Sequence, residues 1–115
     1  MNPRRVEQVS QRIQMLVSDI LQREVSDPRL ATLVVNRVDL TSDGSFAKIY
    51  VSSYETNLET KEVFKVLRKA TGFIRKNLSN KLDLRITPSL KFFWDDSIRD
   101  GEQVLSALRK LNVEE

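Results

Sequence analysis

The hydrophobic period of this chain switches several times between that of a helix and that of a strand, and the order of the switches limits the possible folds. Near the N-terminus, apolar residues recur every three or four positions, at Val6, Val9, Ile13, Leu16 and Ile20. This spacing predicts a long amphipathic first helix, opened by Asn2 as cap and Pro3 in the first turn. We expect it to end before Pro28, because the residue preceding a proline is pushed out of helical space.

The rest of the chain predicts strands and helices in a definite order. Runs of β-branched and aromatic residues at 32–40 and 46–54 are separated by an Asp-Gly pair, which indicates a hairpin. Residues 59–81 return to the helical period, and residues 89–95 predict a third strand. A last helix is expected to begin at Ser97 as its N-cap.

One α+β domain accounts for these elements. We expect an interruption of the middle helical segment at Ala70, Thr71 and Gly72, which gives the order α-β-β-α-α-β-α. A three-stranded mixed sheet would then pack against the helices. No repeat or linker divides the chain, so we predict a single domain over residues 1–115.

The composition excludes several classes of function. The chain has no Cys and no His, which removes disulfides, thiol nucleophiles and Cys/His metal sites. No apolar run approaches the roughly 18 residues that a membrane span needs, and we expect a cytoplasmic protein. We therefore predict no catalytic residues, no bound metal and no cofactor.

Positive charge is concentrated in one segment. Residues 61–91 hold nine Lys and Arg against two Asp and Glu, although the net charge of the chain is only +3. Such a block indicates contact with a polyanion such as RNA or DNA, but a solvated helix face has the same composition. Both interpretations stay open on charge alone.

A helical wheel over the middle segment separates an apolar face from a basic one. The apolar face consists of Val63, Val66, Leu67, Ala70, Phe73, Ile74 and Leu78. The basic face consists of Lys61, Lys65, Arg68, Arg75 and Lys76. Gly72 lies within the basic face, where a glycine costs about 1 kcal/mol relative to alanine.

Gly72 has two candidate roles: a kink in the helix, or room for a ligand to approach the backbone. If Thr71 caps a second helix, the free N–H groups there, flanked by Arg68, Arg75 and Lys76, form a phosphate-binding site. A tolerated surface glycine is the alternative.

Acidic residues after the third strand also allow two interpretations. Asp95, Asp96 and Asp100 could hold Mg²⁺ for phosphodiester hydrolysis. Helix capping is favoured, because Asp100 stands three residues after Ser97 and acidic charge suits a helix N-terminus.

The aromatic residues of the third strand pose a similar choice. Phe92 and Trp94 alternate with Phe93, so one side faces the core and the other could offer an aromatic platform for a base; core packing on both sides is favoured. Asp27 and Arg29 are expected to fix a turn through side-chain bonds to the backbone.

The element order, with a glycine-marked turn between two helices, resembles the type II KH fold, an RNA-binding architecture. Four stretches resemble the ribosome-binding factor A family more specifically. They are LQREVSDPRL at 21–30, AKIYVS at 47–52, ATGFIRKNL at 70–78 and LRITPSLKFFWDDSI at 84–98. This family has an Ala-x-Gly kink where other KH domains have Gly-x-x-Gly, and Ala70, Thr71 and Gly72 match it.

The resemblance implies a non-enzymatic, bacterial-type assembly factor that binds free small (30S) ribosomal subunits and their 16S rRNA. It implies help in maturing the rRNA end, greatest importance in the cold, and no membrane partner or small-molecule substrate; we expect a monomer. The candidate RNA-binding residues are Lys61, Lys65, Arg68, Lys69, Thr71, Gly72, Arg75, Lys76, Lys81 and Arg85. A protein-interaction adaptor using the first and last helices is the competing hypothesis, and a nuclease is a third.

Overall fold

The structure has the predicted α+β class, but a short helix precedes the first strand and one continuous helix stands where two were predicted. The structure is a computed structural model that describes residues 1–55, 58–82 and 84–95. Its elements are α1 (Pro3–Asp19), a π-helical turn (Ile20–Glu24), α2 (Pro28–Ala31), β1 (Leu33–Leu40), β2 (Phe46–Ser53), α3 (Thr60–Lys81) and β3 (Ser89–Trp94). The predicted last helix from Ser97 lies outside the described residues, as do Asp96 and Asp100.

Helix α1 begins as its sequence predicts. The Asn2 side chain accepts a hydrogen bond from the Arg5 N–H group at 2.7 Å, and Pro3 lies in the first turn. The apolar stripe of α1 and of the π-helical turn is buried, at Val9, Ile13, Val17, Ile20 and Leu21. The stripe therefore packs within the chain.

The short helix α2 is set by the turn that precedes it. The Asp27 carboxylate accepts a hydrogen bond from the Arg29 N–H group at 2.9 Å and forms an ion pair with the Arg29 guanidinium, also at 2.9 Å. The bond from the Arg29 side chain is the main cause of the lowered pKa of Asp27. The predicted side-chain bond to the backbone is confirmed for Asp27, whereas the Arg29 side chain binds the Asp27 carboxylate instead.

The sheet is mixed, as predicted, with the strand order β1-β2-β3: β1 and β2 are antiparallel, and β2 and β3 are parallel. In the hairpin turn, Gly44 has a φ of 74°. The Asp43 carboxylate accepts hydrogen bonds from the Ser45 hydroxyl and N–H groups (2.7 and 3.0 Å) and from the Thr41 hydroxyl (2.8 Å). These bonds, above all that of the Ser45 hydroxyl, lower the pKa of Asp43 to about 2.

A β-bulge in β1 changes which of its residues face the core. The pairing register with β2 shifts between Val35 and Arg37, so Val35 and Val38 are both buried while Arg37 is exposed. The Gln14 side-chain amide in α1 donates hydrogen bonds to the carbonyl oxygens of Val35 and Asn36 at 3.1 and 3.2 Å. Helix α1 thus supplies partners for two carbonyl groups at the bulge.

One face of the sheet and the inner sides of α1 and α3 enclose the core. From β2, Ala47, Ile49 and Val51, which lie on one side of the strand, are fully buried. From α3, the core receives Val63, Leu67, Ile74 and Leu78. The two long helices therefore cover the same face of the sheet.

Helix α3 is one continuous helix, so the predicted start of a second helix at Thr71 is wrong. The Thr71 hydroxyl donates to the Leu67 carbonyl oxygen at 2.7 Å instead of capping, and Gly72 has no positive φ. A break would leave several backbone groups without helical partners, which costs more than the propensity penalty of about 1 kcal/mol for one glycine. A bend at Ala70, Thr71 and Gly72 inside this continuous helix stays a prediction. Phe73, assigned to the apolar face, is 47% exposed.

Candidate nucleic-acid interface

Helix α3 exposes a row of cations. The side chains concerned are Lys61, Lys65, Arg68, Lys69 and Lys76, and all are exposed. Across residues 1–55, 58–82 and 84–95, none of them forms an ion pair. Their charge therefore faces solvent and is available to an anionic partner.

The N-terminal half of this row borders a groove between α3 and β3, with a volume of about 610 Å³. From α3 it is lined by Thr60, Lys61, Glu62, Phe64, Lys65, Leu67, Arg68 and Thr71, and from β3 by Leu90, Lys91 and Phe92. Apolar side chains form part of the lining and cations stand beside them. A groove of this kind can bind both the phosphates and the apolar faces of a nucleic-acid strand.

A second, smaller cavity of about 280 Å³ follows along the helix, lined by Gly72, Arg75, Lys76, Ser79 and Thr87. The Arg75 guanidinium donates hydrogen bonds to the carbonyl oxygens of Thr87 (2.8 Å) and Pro88 (3.1 Å), which fix it against the segment before β3. Its other N–H groups remain for an anion.

The surface at Gly72 is open. A Cβ atom added there would meet no atom within 4 Å, apart from the helix's own backbone nearby, and Gly72 is exposed. Of the two predicted roles, the close approach of a ligand is consistent with this open space. The proposed phosphate site on free N–H groups is wrong, because those groups lie within α3.

Three predicted site residues lie apart from the two cavities. Lys81 forms ion pairs with Glu24 at 2.8 Å and with Asp19 at 3.9 Å, which tie the end of α3 to the first helical segment. Lys69 and Arg85 are exposed but line neither cavity. Their contact with RNA stays a prediction.

Sequence reasoning missed Lys91, Ser79 and Thr87, which complete the linings of the two cavities. Lys91 belongs to the basic segment, but its position on a strand hid its proximity to α3. Ser79 lies on α3 one turn after Arg75 and Lys76, so the helical period could have indicated it. Thr87 carries no charge, and tertiary packing alone brings it to the site.

Among the acidic and aromatic candidates, Asp95, Phe92 and Trp94 have structural contacts, and Phe93 lies on another surface. The Asp95 carboxylate accepts a hydrogen bond from the Asn36 side chain at 2.9 Å, and no group of three potential metal ligands occurs among the described residues. Phe92 is buried and Trp94 packs edge-on against Phe64 at 6.3 Å, so core packing of this side is confirmed. Phe93 lies on the opposite face of the sheet, where it stacks on Tyr50, and core packing of that side stays a prediction.

None of the helices in the described part of the chain combines the length and hydropathy that crossing a membrane requires. Fold and surface together define a class: a small α+β protein with a three-stranded mixed sheet and one long helix that exposes a row of cations. The family model described as ribosome-binding factor A matches residues 5–108. The chain belongs to the ribosome-binding factor A family.

Individual relatives agree over nearly the whole chain. The ribosome-binding factor A of Staphylococcus epidermidis is 38% identical over 112 residues, 97% of each chain, and that of Carboxydothermus hydrogenoformans is 42% identical over 108 residues, 94% of this chain and 86% of the relative. The crystal structure of ribosome-binding factor A from Thermus thermophilus matches with a TM-score of 0.68 at 25% identity, covering 76% of this chain and 93% of the other. A homology model of the Thermus thermophilus factor, fitted into a cryo-electron microscopy map of a complex with the 30S subunit, gives a TM-score of 0.64 at 25% identity, covering 76% and 91%.

Proposed function

We propose that this protein is a non-catalytic assembly factor that binds free small ribosomal subunits through their 16S rRNA. It acts as a single KH-type domain and a cytoplasmic monomer, assists late processing of the rRNA end, and is needed most in the cold. The family match over residues 5–108 carries the proposal. The 30S complex of the Thermus thermophilus relative supports the choice of partner.

The cations of α3 suit a phosphate backbone. At a rise of 1.5 Å per residue, the row from Lys61 to Lys76 is about 22 Å long, which is enough to follow several phosphates of one RNA strand. Within the described residues this row has no carboxylate partner, so binding need not break an internal ion pair. We infer that α3 positions the protein on rRNA mainly by charge and shape.

The competing adaptor hypothesis loses part of its basis. It required the apolar stripe of the first helix for a partner, but Ile13, Val17 and Leu21 are fully buried in the core. Among the larger apolar side chains of α1, only Met15 is strongly exposed, at 72%. One methionine does not make a docking surface.

Salt dependence tests the binding face. Replacing Lys65, Arg68 and Lys76 by Gln should reduce the slope of log affinity against log salt by about 2, because three phosphate contacts are lost. The measurement is binding to purified free small subunits across a salt series, with sedimentation showing whether the protein accompanies free subunits but not joined ribosomes.

A control of equal charge change is available on α1, where Arg4, Arg5 and Arg12 are exposed. Replacing these three by Gln should leave the slope close to that of the wild type. An α3 variant with an unchanged slope, or equal flattening in both variants, would show that α3 is not the binding face.

A further inference from the structure

The outer face of the sheet, opposite the core, carries a compact group of aromatic and basic residues. Pairing across the three strands aligns Arg37, Tyr50 and Phe93 in one row, and Lys48 and Lys91 stand side by side in the next. We call these five residues the aromatic platform. Arg37 belongs to it because the β-bulge turns it away from the core.

The two rings of the platform stack on each other, and cations lie close to both. The Tyr50 and Phe93 rings stack with centroids 5.5 Å apart and an interplanar angle of 25°. The Arg37 guanidinium lies 4.2 Å from the centre of the Tyr50 ring, and the ammonium groups of Lys91 and Lys48 lie 5.5 and 6.0 Å from that of Phe93. Flat π surfaces and positive charge therefore coincide in one place.

Charge on this face favours an anion. Arg37 is paired with Asp39 at 3.5 Å and is also attracted by Asp95. Lys48, which stands opposite Asp39 in the strand register, and Lys91 form no ion pair within the described residues, so three cations share this face with two carboxylates. The long helices α1 and α3 both pack on the opposite face, where Ile49 and Val51 are buried.

We propose that the platform binds unpaired nucleotides of a single-stranded RNA segment, with bases stacked on Tyr50 and Phe93 and phosphates held by Lys48 and Lys91. Aromatic rings on a sheet with flanking cations bind single strands with little sequence preference, because every base has a π face. Lys91 also borders the groove beside α3. One strand can therefore pass from the phosphate-binding helix to the base-stacking sheet.

The proposal goes beyond the proposed function, because it concerns a different face of the molecule and a different element of RNA.

Its test uses an unstructured RNA octamer that contains 2-aminopurine, titrated with the full chain at fixed salt while fluorescence and anisotropy are recorded. The variant is Tyr50→Leu with Phe93→Leu, which keeps apolar side chains on the strands but removes both π faces.

We expect the double variant to bind the octamer at least about tenfold more weakly than the wild type, since base–aromatic stacking contributes about 1–3 kcal/mol per base. The 2-aminopurine signal of stacking should disappear. Tyr54→Leu is the matched control, because Tyr54 is 72% exposed and lies after the end of β2. It should bind as the wild type does.

Retained octamer binding in a folded double variant would overturn the proposal. So would a wild-type protein that binds no octamer, which is the result expected if another part of the chain or a protein partner covers the rings. Because small-subunit binding by the α3 variant is measured separately, failure of the platform and failure of the proposed function give different results. If the double variant does not fold, Lys48→Gln with Lys91→Gln replaces it and should also weaken octamer binding.

Discussion

At the scale of the residue, Gly72 leaves open the surface between the two halves of the basic row. Its backbone has an ordinary helical conformation and nothing fills the space above it. A glycine without a backbone requirement lowers helix stability, and its presence here is explained either by a ligand that needs the bare surface or by a tolerated surface glycine. The sequence alone left a kink and the close approach of a ligand both open, because a glycine within a helix is compatible with either.

Alanine substitutions at Gly72 and at Gly44 compare a glycine in a helical conformation with one that has a positive φ. Gly72→Ala should raise the free energy of unfolding by up to about 1 kcal/mol, because alanine is the better helix former and meets no neighbour. Gly44→Ala should lower it by about 1 kcal/mol or more, because Gly44 has a positive φ and an added Cβ would contact the Met1 side chain. Urea denaturation of both variants gives the two values.

Binding completes the test at this residue. Gly72→Glu should fold but bind small subunits poorly, because a carboxylate would stand beside Arg75 and Lys76 where a phosphate approaches. If Gly72→Ala is destabilised, the result supports the kink hypothesis. Wild-type affinity in a folded Gly72→Glu variant would show that no ligand approaches there.

At the scale of the element, the sequence predicted those features that depend on residues close together in the chain. The cap of α1, the hairpin turn, the three strands and most of the two faces of α3 follow from residue spacing and turn chemistry. The continuity of α3 could not be predicted from the sequence, because it depends on whether the propensity penalty of one glycine exceeds the cost of breaking the backbone hydrogen bonds around it. The two cavities could not be predicted either, because their linings combine α3 with β3 and the segment before it.

The bulge in β1 changes which side chains of this strand face the core, and α1 contacts it. Strict alternation would place Val35 and Arg37 on the same side of the strand, but the register shift separates them. The sequence did not indicate the bulge, because Val34, Val38 and Leu40 also fit strict alternation. Gln14 then joins the bulge to α1 through two hydrogen bonds.

Gln14→Ala should therefore lower the free energy of unfolding by about 1–2 kcal/mol, because two carbonyl oxygens at a partly buried site lose their donor. Gln11→Ala is the control, since Gln11 is exposed on the same helix. Chemical denaturation compares the two. Equal stability of both variants would show that α1 does not support the bulge.

At the scale of the whole molecule, the fold separates two kinds of contact. Helix α3 presents cations that suit phosphates, and the outer face of the sheet presents stacked rings that suit bases. Lys91 borders both surfaces. If both proposals hold, the charge of α3 would bring the protein to the subunit, and the aromatic platform would hold an unpaired strand.

A role in late assembly has a consequence for cells that lack the protein. The proposed function, which follows the resemblance to the ribosome-binding factor A family, implies that small subunits with unprocessed 16S rRNA ends accumulate in a deletion strain, most of all in the cold. The chain with Arg4, Arg5 and Arg12 replaced by Gln should restore rRNA processing and growth, whereas the chain with Lys65, Arg68 and Lys76 replaced should not. Mapping of rRNA ends and growth at low temperature measure both effects. Normal ends and growth in the cold-grown deletion strain would contradict the role in maturation. Rescue by both variants would show that maturation does not depend on the charge of α3.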